Sequence, residues 1–539
     1  MNWTPRFIAL SLAALSASLL LRAGSNNKIP APAPSVQVGQ VNFSTSCSAD
    51  AQPSMEMGVA LLHSFQYQQA DQSFSDAAKR DSKCAMAYWG KAMSHYEQLW
   101  EFPSGKALKL GAQDIQRAQT LGASTERERG YIAAAAAFYV ADAKLSETKR
   151  VQAFSVALAG LHKQSPDDVN AAAFYALSLL ALADQQELDA QANRKAAIAI
   201  LEPLCRNAPN NPGPAHYLIH ATDTAEFAPR GLEAARAYSK IAPDSSHALH
   251  MPSHIFVRLG LWQESISSNI AAAASAAKAT QEHRSAPHYQ FHALDFLNYS
   301  YLQSGQESKA REMVKELENV PGADRESIAE HQAWFAARNA FELHRWKEAA
   351  ELTIPHVPRE SQTSTYRVRA IGAAHLGDAA AARQSLQKYV EIAAEEERKS
   401  SHHGEKGADK NVRQLEAEAW VAFAEGKREE AVKTLRSAAD REDADGVDSL
   451  AMPAREMLAD MLLELKRPAD ALVEYKAALK NSPNRFDSFY GAAHAAQLAG
   501  DSATANAYFT KLMEICAPAA DRAELGEAKT YLTRASKGN

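Results

Sequence analysis

The sequence is poor in the two residues that interrupt helices. Glycine and proline, 24 and 22 residues, together make up about 9% of the 539 residues, below the roughly 12% of average usage. Alanine runs at residues 133–137 and 271–274 favour helix instead. This composition excludes collagen-like, disordered and many-turned β proteins, and it predicts an all-α chain.

An excess of positive charge is also lacking. The chain has 58 Lys and Arg residues against 64 Asp and Glu residues, a net charge of −6. A dedicated nucleic-acid-binding protein is expected to carry a basic stripe or a high isoelectric point. The composition therefore predicts no nucleic-acid partner.

No apolar run is long enough to span a bilayer. The run Phe7–Leu21 has 15 residues, whereas a spanning helix needs about 20. Arg6 precedes this run and small residues follow it at 23–25, which is typical of a signal peptide over residues 1–24. A Pro/Ala-rich linker is expected over residues 25–45. We therefore expect a periplasmic or secreted protein with no membrane span after signal cleavage.

Cysteine is scarce, with 4 residues and no Cys-x-x-Cys motif. This argues against a thioredoxin-like site and against a zinc ribbon. Cys47 and Cys84 bracket the first predicted helical unit, and the oxidising compartment expected for an exported protein allows them to form a disulfide. Cys205 and Cys516 lie on apolar helix faces and are expected to be buried thiols.

A short pattern of a small-residue turn, often an aromatic residue, and then alanine recurs along the chain. Ala471 and Ala505 hold the same place in it and are 34 residues apart. The pattern resembles the tetratricopeptide repeat (TPR). Its copies are residues 65–70, 303–310, 344–349, 376–382, 424–431 and 498–505.

The resemblance covers nearly the whole mature length. It implies an α-solenoid, or TPR superhelix, of stacked antiparallel helix pairs whose first helices line a concave groove. We divide the chain into N-terminal repeats (46–211), central His-rich units (212–305) and C-terminal repeats (306–539).

Histidine is concentrated in the central units. Residues 216–292 contain eight of the 18 histidines, in three main stretches at 216–223, 247–254 and 288–295. Within each stretch the His and Asp residues are spaced i, i+3 or i+4, i+7, which places them on one helix face. Pro252 predicts either a kink in the second stretch or a helix that starts near Met251.

The repeat register implied by the resemblance puts these residues on the groove. In that register His216 stacks on His250 and His220 on His254. Our leading interpretation is an exported scaffold that presents a His-lined groove to a protein or peptide partner, with acidic peptides as one class. A purely structural role for the histidines stays open. The predicted groove residues are His216, His220, His247, His250, His254, Arg258, His292, Asp295 and Tyr299.

The alternative interpretation is a transition-metal site, because neutral imidazole is a common ligand of Zn, Cu and Ni. The preferred ligands are His220, His250 and His254, completed by Asp223 or His216. A second predicted group, or an extension of the first, consists of His288, His292 and Asp295.

Catalytic motifs are lacking. The sequence contains no Gly-x-Ser-x-Gly elbow, no phosphate-binding loop and no His-Glu-x-x-His helix. We therefore assign no catalytic residue, although an open metal site would still allow metal-dependent chemistry. His63 is isolated in the sequence and is interpreted as an ordinary helix-face residue.

Overall fold

A computed structural model describes most of the chain. The predicted signal peptide lies outside the described residues, and so does the linker as far as residue 35. No helix in the described part of the chain is long and apolar enough to cross a membrane. The described residues are 36–99, 102–140, 145–184, 189–400 and 411–537.

The predicted all-α fold is confirmed, since the described residues contain helices and no β-strand. The N-terminal helices are α1 (Gln52–His63), α2 (Tyr67–Arg80), α3 (Ala85–Ser94), α4 (Gly105–Leu121), α5 (Glu126–Tyr139), α6 (Glu147–Gln164), α7 (Val169–Asp184) and α8 (Ala190–Asn207). The central helices are α9 (Pro212–Thr222), α10 (Ala228–Ile241), α11 (Ser246–His250), α12 (Pro252–Arg258), α13 (Trp262–Gln281), α14 (His288–Gln303) and α15 (Glu307–Glu316).

The remaining helices continue the same pattern towards the C-terminus. They are α16 (Arg325–Glu342), α17 (Trp346–Ala350), α18 (Thr363–His375), α19 (Ala379–Ser400), α20 (Val412–Ala424), α21 (Arg428–Asp445), α22 (Ala454–Glu464), α23 (Pro468–Asn481), α24 (Phe486–Leu498), α25 (Ser502–Ile515) and α26 (Glu524–Lys537). Consecutive helices pack in pairs such as α1 with α2, α13 with α14 and α24 with α25. This arrangement is the predicted α-solenoid, and its paired helices are consistent with TPR-like repeats.

Several of the turns inside the pairs use a left-handed residue. Glycine takes this place in several repeats, for example Gly260 at φ 64° and Gly500 at φ 80°, because it has no Cβ to clash. The first repeat has Phe65 there, at φ 54°. A bulky residue at positive φ is an outlier that the surrounding packing has to hold in place.

Pro252 has the predicted effect on the second histidine stretch. Helix α11 ends at His250 and α12 begins at Pro252. Met251 between them keeps helical dihedral angles, φ −51° and ψ −36°. The chain therefore bends without leaving the helical path, so that His247 and His250 on α11 stay close to His254 on α12.

The chain divides into two units after Val36, and the second unit is Gln37–Asn539. Residues 37–45, which we predicted to end the linker, have no regular secondary structure and lie within this second unit. Val38, Val41 and Phe43 are buried there, and the amide of Gln40 donates to the carbonyl oxygen of Asn210 at 2.9 Å. These three apolar side chains thus give the segment a place in the core.

Cys47 and Cys84 form a disulfide with a Cα–Cα distance of 4.8 Å. It joins the entry to α1 to the start of α3. Cys205 and Cys516 are free and half-buried, and burial raises the pKa of each thiol to about 12. These two thiols are therefore protonated at neutral pH.

The C-terminal repeats fold back onto the central units. The indole Nε1 of Trp262 donates to the carbonyl oxygen of Asn484 at 2.8 Å. The amide of Ala517 donates to the carbonyl oxygen of Ser304 at 3.0 Å. These contacts join positions more than 200 residues apart in the sequence, so the last repeats cover part of the central ones.

A buried arginine holds this contact together. Arg485 is 0% exposed. Its Nη2 lies 2.8 Å from Glu342 Oε2 and 2.7 Å from Glu456 Oε1, and its Nη1 donates to the Tyr299 hydroxyl. Burial raises the pKa of Glu342 even with the arginine beside it. The positive charge of the guanidinium thus compensates the negative charge of two carboxylates that have little access to water.

We expect Arg485→Met to lower the free energy of unfolding by about 3–5 kcal/mol, because it leaves buried carboxylates without a partner. The triple variant Arg485→Met/Glu342→Gln/Glu456→Gln should recover much of this loss, since it removes the buried charges as well. Urea unfolding followed by circular dichroism measures both. A single variant within about 1 kcal/mol of the wild type would contradict this account.

Candidate metal centre

Two groups of three histidines face inward in the central units. We call His216, His220 and His247 set A, and His250, His254 and His292 set B. Within each set, one ligand atom from every residue lies within 4.8 Å of the others. Helices α9, α11, α12 and α14 carry these side chains.

Set A converges on the Nε2 atom of His216. Nε2 of His220 lies 3.1 Å from it, and Nε2 of His247 lies 2.9 Å from it. Nδ1 of His216 lies 2.6 Å from the carbonyl oxygen of His63. A carbonyl only accepts, so Nδ1 carries the proton and Nε2 offers a lone pair. The single lone pair on His216 Nε2 accepts one well-directed hydrogen bond, from either His220 or His247. One cation, in contrast, binds the Nε2 atoms of all three residues.

Phe65 forms an apolar wall beside set A. Its ring centroid lies 4.4 Å from that of His216, 5.5 Å from that of His220 and 5.7 Å from that of His247. This is the residue that occupies a glycine position in its turn. The positive φ therefore places a large ring against the three imidazoles.

Set B has the same organisation. Nδ1 of His250 lies 2.7 Å from Oδ1 of Asn269, and Nδ1 of His254 lies 2.9 Å from Oδ2 of Asp223. The Asn269 amide nitrogen donates to the carbonyl oxygen of Ser265, which leaves Oδ1 to face the ring. Both Nδ1 atoms are thus donors. The Nε2 atoms of His250 and His254 lie 3.1 Å apart, and in neutral rings they present two lone pairs to each other.

Burial favours the neutral form of five of these imidazoles, those of His216, His220, His247, His250 and His292. Desolvation lowers the pKa of His220 to about 3 and that of His292 to about 4. It drives the pKa of His216, His247 and His250 well below the ordinary value, and the neighbouring histidines add to the effect. A neutral imidazole is the form that binds a metal ion.

Asp223 orients a ring rather than joining a set. It accepts from His254 Nδ1 and, at 2.8 Å, from Arg258 Nε. Burial pushes the pKa of Asp223 upward, but the hydrogen bonds that it accepts from His254 and Arg258, together with the Arg258 charge, outweigh burial and hold the pKa well below its usual range. We predicted Asp223 as a ligand, whereas the structure uses both carboxylate oxygens to position its neighbours.

The predicted second group of ligands does not assemble. Oδ1 of Asp295 accepts from Trp334 Nε1 at 2.8 Å and pairs with Arg338 at the same distance. His288 contacts the ring of Tyr289, with centroids 4.0 Å apart. Only His292 of the three joins a set. His247, which we placed on the groove but not among the ligands, takes the third position of set A.

The predicted groove residues are less accessible than the repeat register implied. His216, His247 and His250 are buried, and Tyr299 is 1% exposed because it packs against Arg485. The predicted stacking of His216 on His250 is also replaced, since His216 pairs with His247. The central histidines therefore point at one another rather than outward.

Sequence reasoning missed the residues that orient the rings. His63 is buried, contacts Phe174 with ring centroids 4.6 Å apart, and places its carbonyl against His216. Asn269 lies on α13, a helix that carries no histidine. Nothing in the sequence marked Asn269, whereas Phe65 carried a signal, since it stands where other repeats have glycine.

Comparisons with known proteins add little to this picture. No protein-family model matches the chain, and no curated protein matches it. A tetratricopeptide repeat protein of known structure from Parabacteroides merdae is similar over 53% of this chain and 97% of that chain, with 15% sequence identity and a TM-score of 0.30. A likeness of this size carries no conclusion about function.

The buried imidazole of His63 predicts a pH dependence. Burial lowers its pKa from 6.5 to about 4, so the unfolded chain takes up a proton first as the pH falls. Its contribution to stability is complete above about pH 6.5 and is lost towards pH 4. We expect the stability difference between the wild type and His63→Gln to shrink by about 2 kcal/mol from pH 7 to pH 5.

Urea unfolding of chelator-treated protein at the two pH values measures this difference. A difference that stays constant between pH 7 and pH 5 would show that His63 is not held neutral by burial.

Proposed function

We propose that the protein binds transition-metal ions through set A and set B. The observation that carries the proposal is the convergence of Nε2 atoms to 2.9–3.1 Å around His216 and between His250 and His254. Ligands at 2.0–2.1 Å from a tetrahedral zinc ion lie about 3.3 Å apart. The distances between the Nε2 atoms are therefore already close to those between the ligand atoms of a zinc ion.

The atoms behind the rings support the same proposal. A histidine that ligates a metal usually donates its other ring N–H to a carboxylate or to a carbonyl oxygen. Here the acceptors are the His63 carbonyl for His216, the Asn269 side chain for His250 and the Asp223 carboxylate for His254. These hydrogen bonds select the tautomer whose Nε2 atom is free to bind an ion.

The ligand chemistry favours zinc, copper or nickel. Both sets consist of imidazoles alone. Imidazole suits these metals, whereas calcium and magnesium prefer oxygen ligands. The protein supplies neutral imidazole nitrogens as ligands, together with a rigid helical support and the apolar wall of Phe65. A bound ion would supply Lewis acidity or redox chemistry.

Export to the periplasm or outside the cell forms part of the proposal. The composition of residues 1–24 supports it, and the disulfide between Cys47 and Cys84 suits an oxidising compartment.

A partner-binding scaffold is the other candidate function, because helical repeats generally present interaction surfaces. The burial of His216, His247, His250 and Tyr299 makes metal binding the better supported of the two.

Metal analysis of untagged protein tests the proposal. The protein is stripped with a chelator, incubated with Zn²⁺ or Cu²⁺, passed over a desalting column and analysed by elemental mass spectrometry. We expect near-stoichiometric retention by the wild type and loss from set A in His216→Ala/His220→Ala. His356→Ala is the matched control, because His356 is exposed and belongs to neither set. Wild-type protein that retains no more metal than the variant would refute the proposal.

The hydrogen bond from His250 to Asn269 gives a second test. We expect Asn269→Leu to weaken metal binding by about 10–100-fold, because His250 loses the acceptor that fixes its tautomer. Asn269→Asp keeps an acceptor at the same place and should bind within a few-fold of the wild type. Competition with a chromogenic chelator measures the affinities. Equal losses in the two variants would point to a packing effect instead.

A further inference from the structure

Set A and set B are direct neighbours. His247 of set A and His250 of set B are three residues apart on α11, a rise of about 4.5 Å along the helix axis. The ring centroids of His220 in set A and His254 in set B are 6.5 Å apart. The two sets are therefore separated by about one helical turn, somewhat more than the 3.5–4 Å spacing of two-metal sites.

The ligands leave coordination positions unfilled. Each set provides three imidazoles, and a metal with three protein ligands keeps at least one position for an exogenous ligand. Since the His220 ring of set A and the His254 ring of set B lie 6.5 Å apart, one exogenous ligand is able to reach ions in both sets.

The charge of the site calls for an anion. All six ligands are uncharged when they bind, so two divalent ions bring positive charge into a buried region. Two carboxylates lie beside set B. Asp223 is already engaged with His254 and Arg258, and Asp295 pairs with Arg338. Bound cations dominate the local electrostatics of such a site, and an anion between the ions lowers the cost of burying both.

A cavity leads to set A. It has a volume of about 220 Å³ and is lined by His247, His288, Tyr67 and Tyr289 among others. The Tyr67 hydroxyl oxygen is buried and has no hydrogen-bond partner among the described residues. Since a water molecule occupies about 30 Å³ of the liquid, the cavity has room for a small ligand, and Tyr67 offers it a hydrogen bond.

We propose that set A and set B form one dinuclear metal centre in which a small anion, such as hydroxide, bridges the two ions and enters through the cavity beside His247. This inference rests on the metal binding proposed above. It adds that the two ions interact and that the bridging position exchanges with solution.

Copper is the probe, because two Cu²⁺ ions joined by a bridging anion couple their spins. Stripped protein is loaded with Cu²⁺, its copper content is measured, and the EPR signal is integrated. We expect two copper ions per chain and an integrated signal at least about threefold below that copper content. Two ions with a signal equal to the copper content would overturn the dinuclear centre while leaving metal binding intact.

A variant of set B supplies the contrast. His250→Ala/His254→Ala should retain one copper ion per chain, and its integrated signal should now equal its copper content, because the partner ion is gone. His356→Ala should behave as the wild type does. Failure of every protein to retain copper would refute the proposed function itself, which is a different outcome from retention without coupling.

Azide tests access to the bridging position. Titration of the copper-loaded wild type is expected to change the visible absorption with a saturable dependence on azide. Tyr67→Phe should keep the coupled EPR behaviour and weaken azide binding by about 2–10-fold, the value of one hydrogen bond. An absorption spectrum that azide does not change, or equal azide affinity in the two proteins, would overturn entry through this cavity.

Discussion

A hydrogen bond from the Nδ1 atom of a buried histidine to a fixed acceptor is the interaction on which the candidate centre depends. A buried imidazole in neutral form has one donor and one acceptor nitrogen, and each needs a partner. The His63 carbonyl, the Asn269 amide oxygen and the Asp223 carboxylate take the donor nitrogens of His216, His250 and His254. The acceptor nitrogens of His250 and His254 are then turned towards one another, and that of His216 is turned towards His220 and His247. A cation satisfies all of these nitrogens at once.

The rest of the fold serves to keep this arrangement rigid. Helix α14 carries His292 of set B and, seven residues further on, Tyr299. Seven residues are close to two helical turns, so both lie on the same side of the helix. Tyr299 receives a hydrogen bond from Arg485, which the two buried glutamates hold in turn. The returning C-terminal repeats thus brace α14, the helix that carries His292.

The same contacts limit the access of solvent to the central histidines. Side chains that recognise a partner need solvent access in the free protein. This access is lacking for His216, His247 and His250. Their side chains are buried against each other and against the helices behind them. Beside His247, the described residues leave a cavity lined by Tyr67 and Tyr289, whose size suits a small ligand better than a peptide.

The sequence by itself determined the local structure. The scarcity of glycine and proline, the alanine-centred repeat and the i, i+4 spacing of His216 with His220 and of His250 with His254 all act over one or two helical turns, so they predicted the helices, the repeats and the bend at Pro252. Only the tertiary structure decided which histidines meet. Set A combines two residues of α9 with His247 of α11, and its orienting carbonyl comes from His63, more than 150 residues earlier in the chain. Such partners are chosen by how the helix pairs stack and by where the chain returns on itself, and these depend on packing between distant segments that no short-range pattern records.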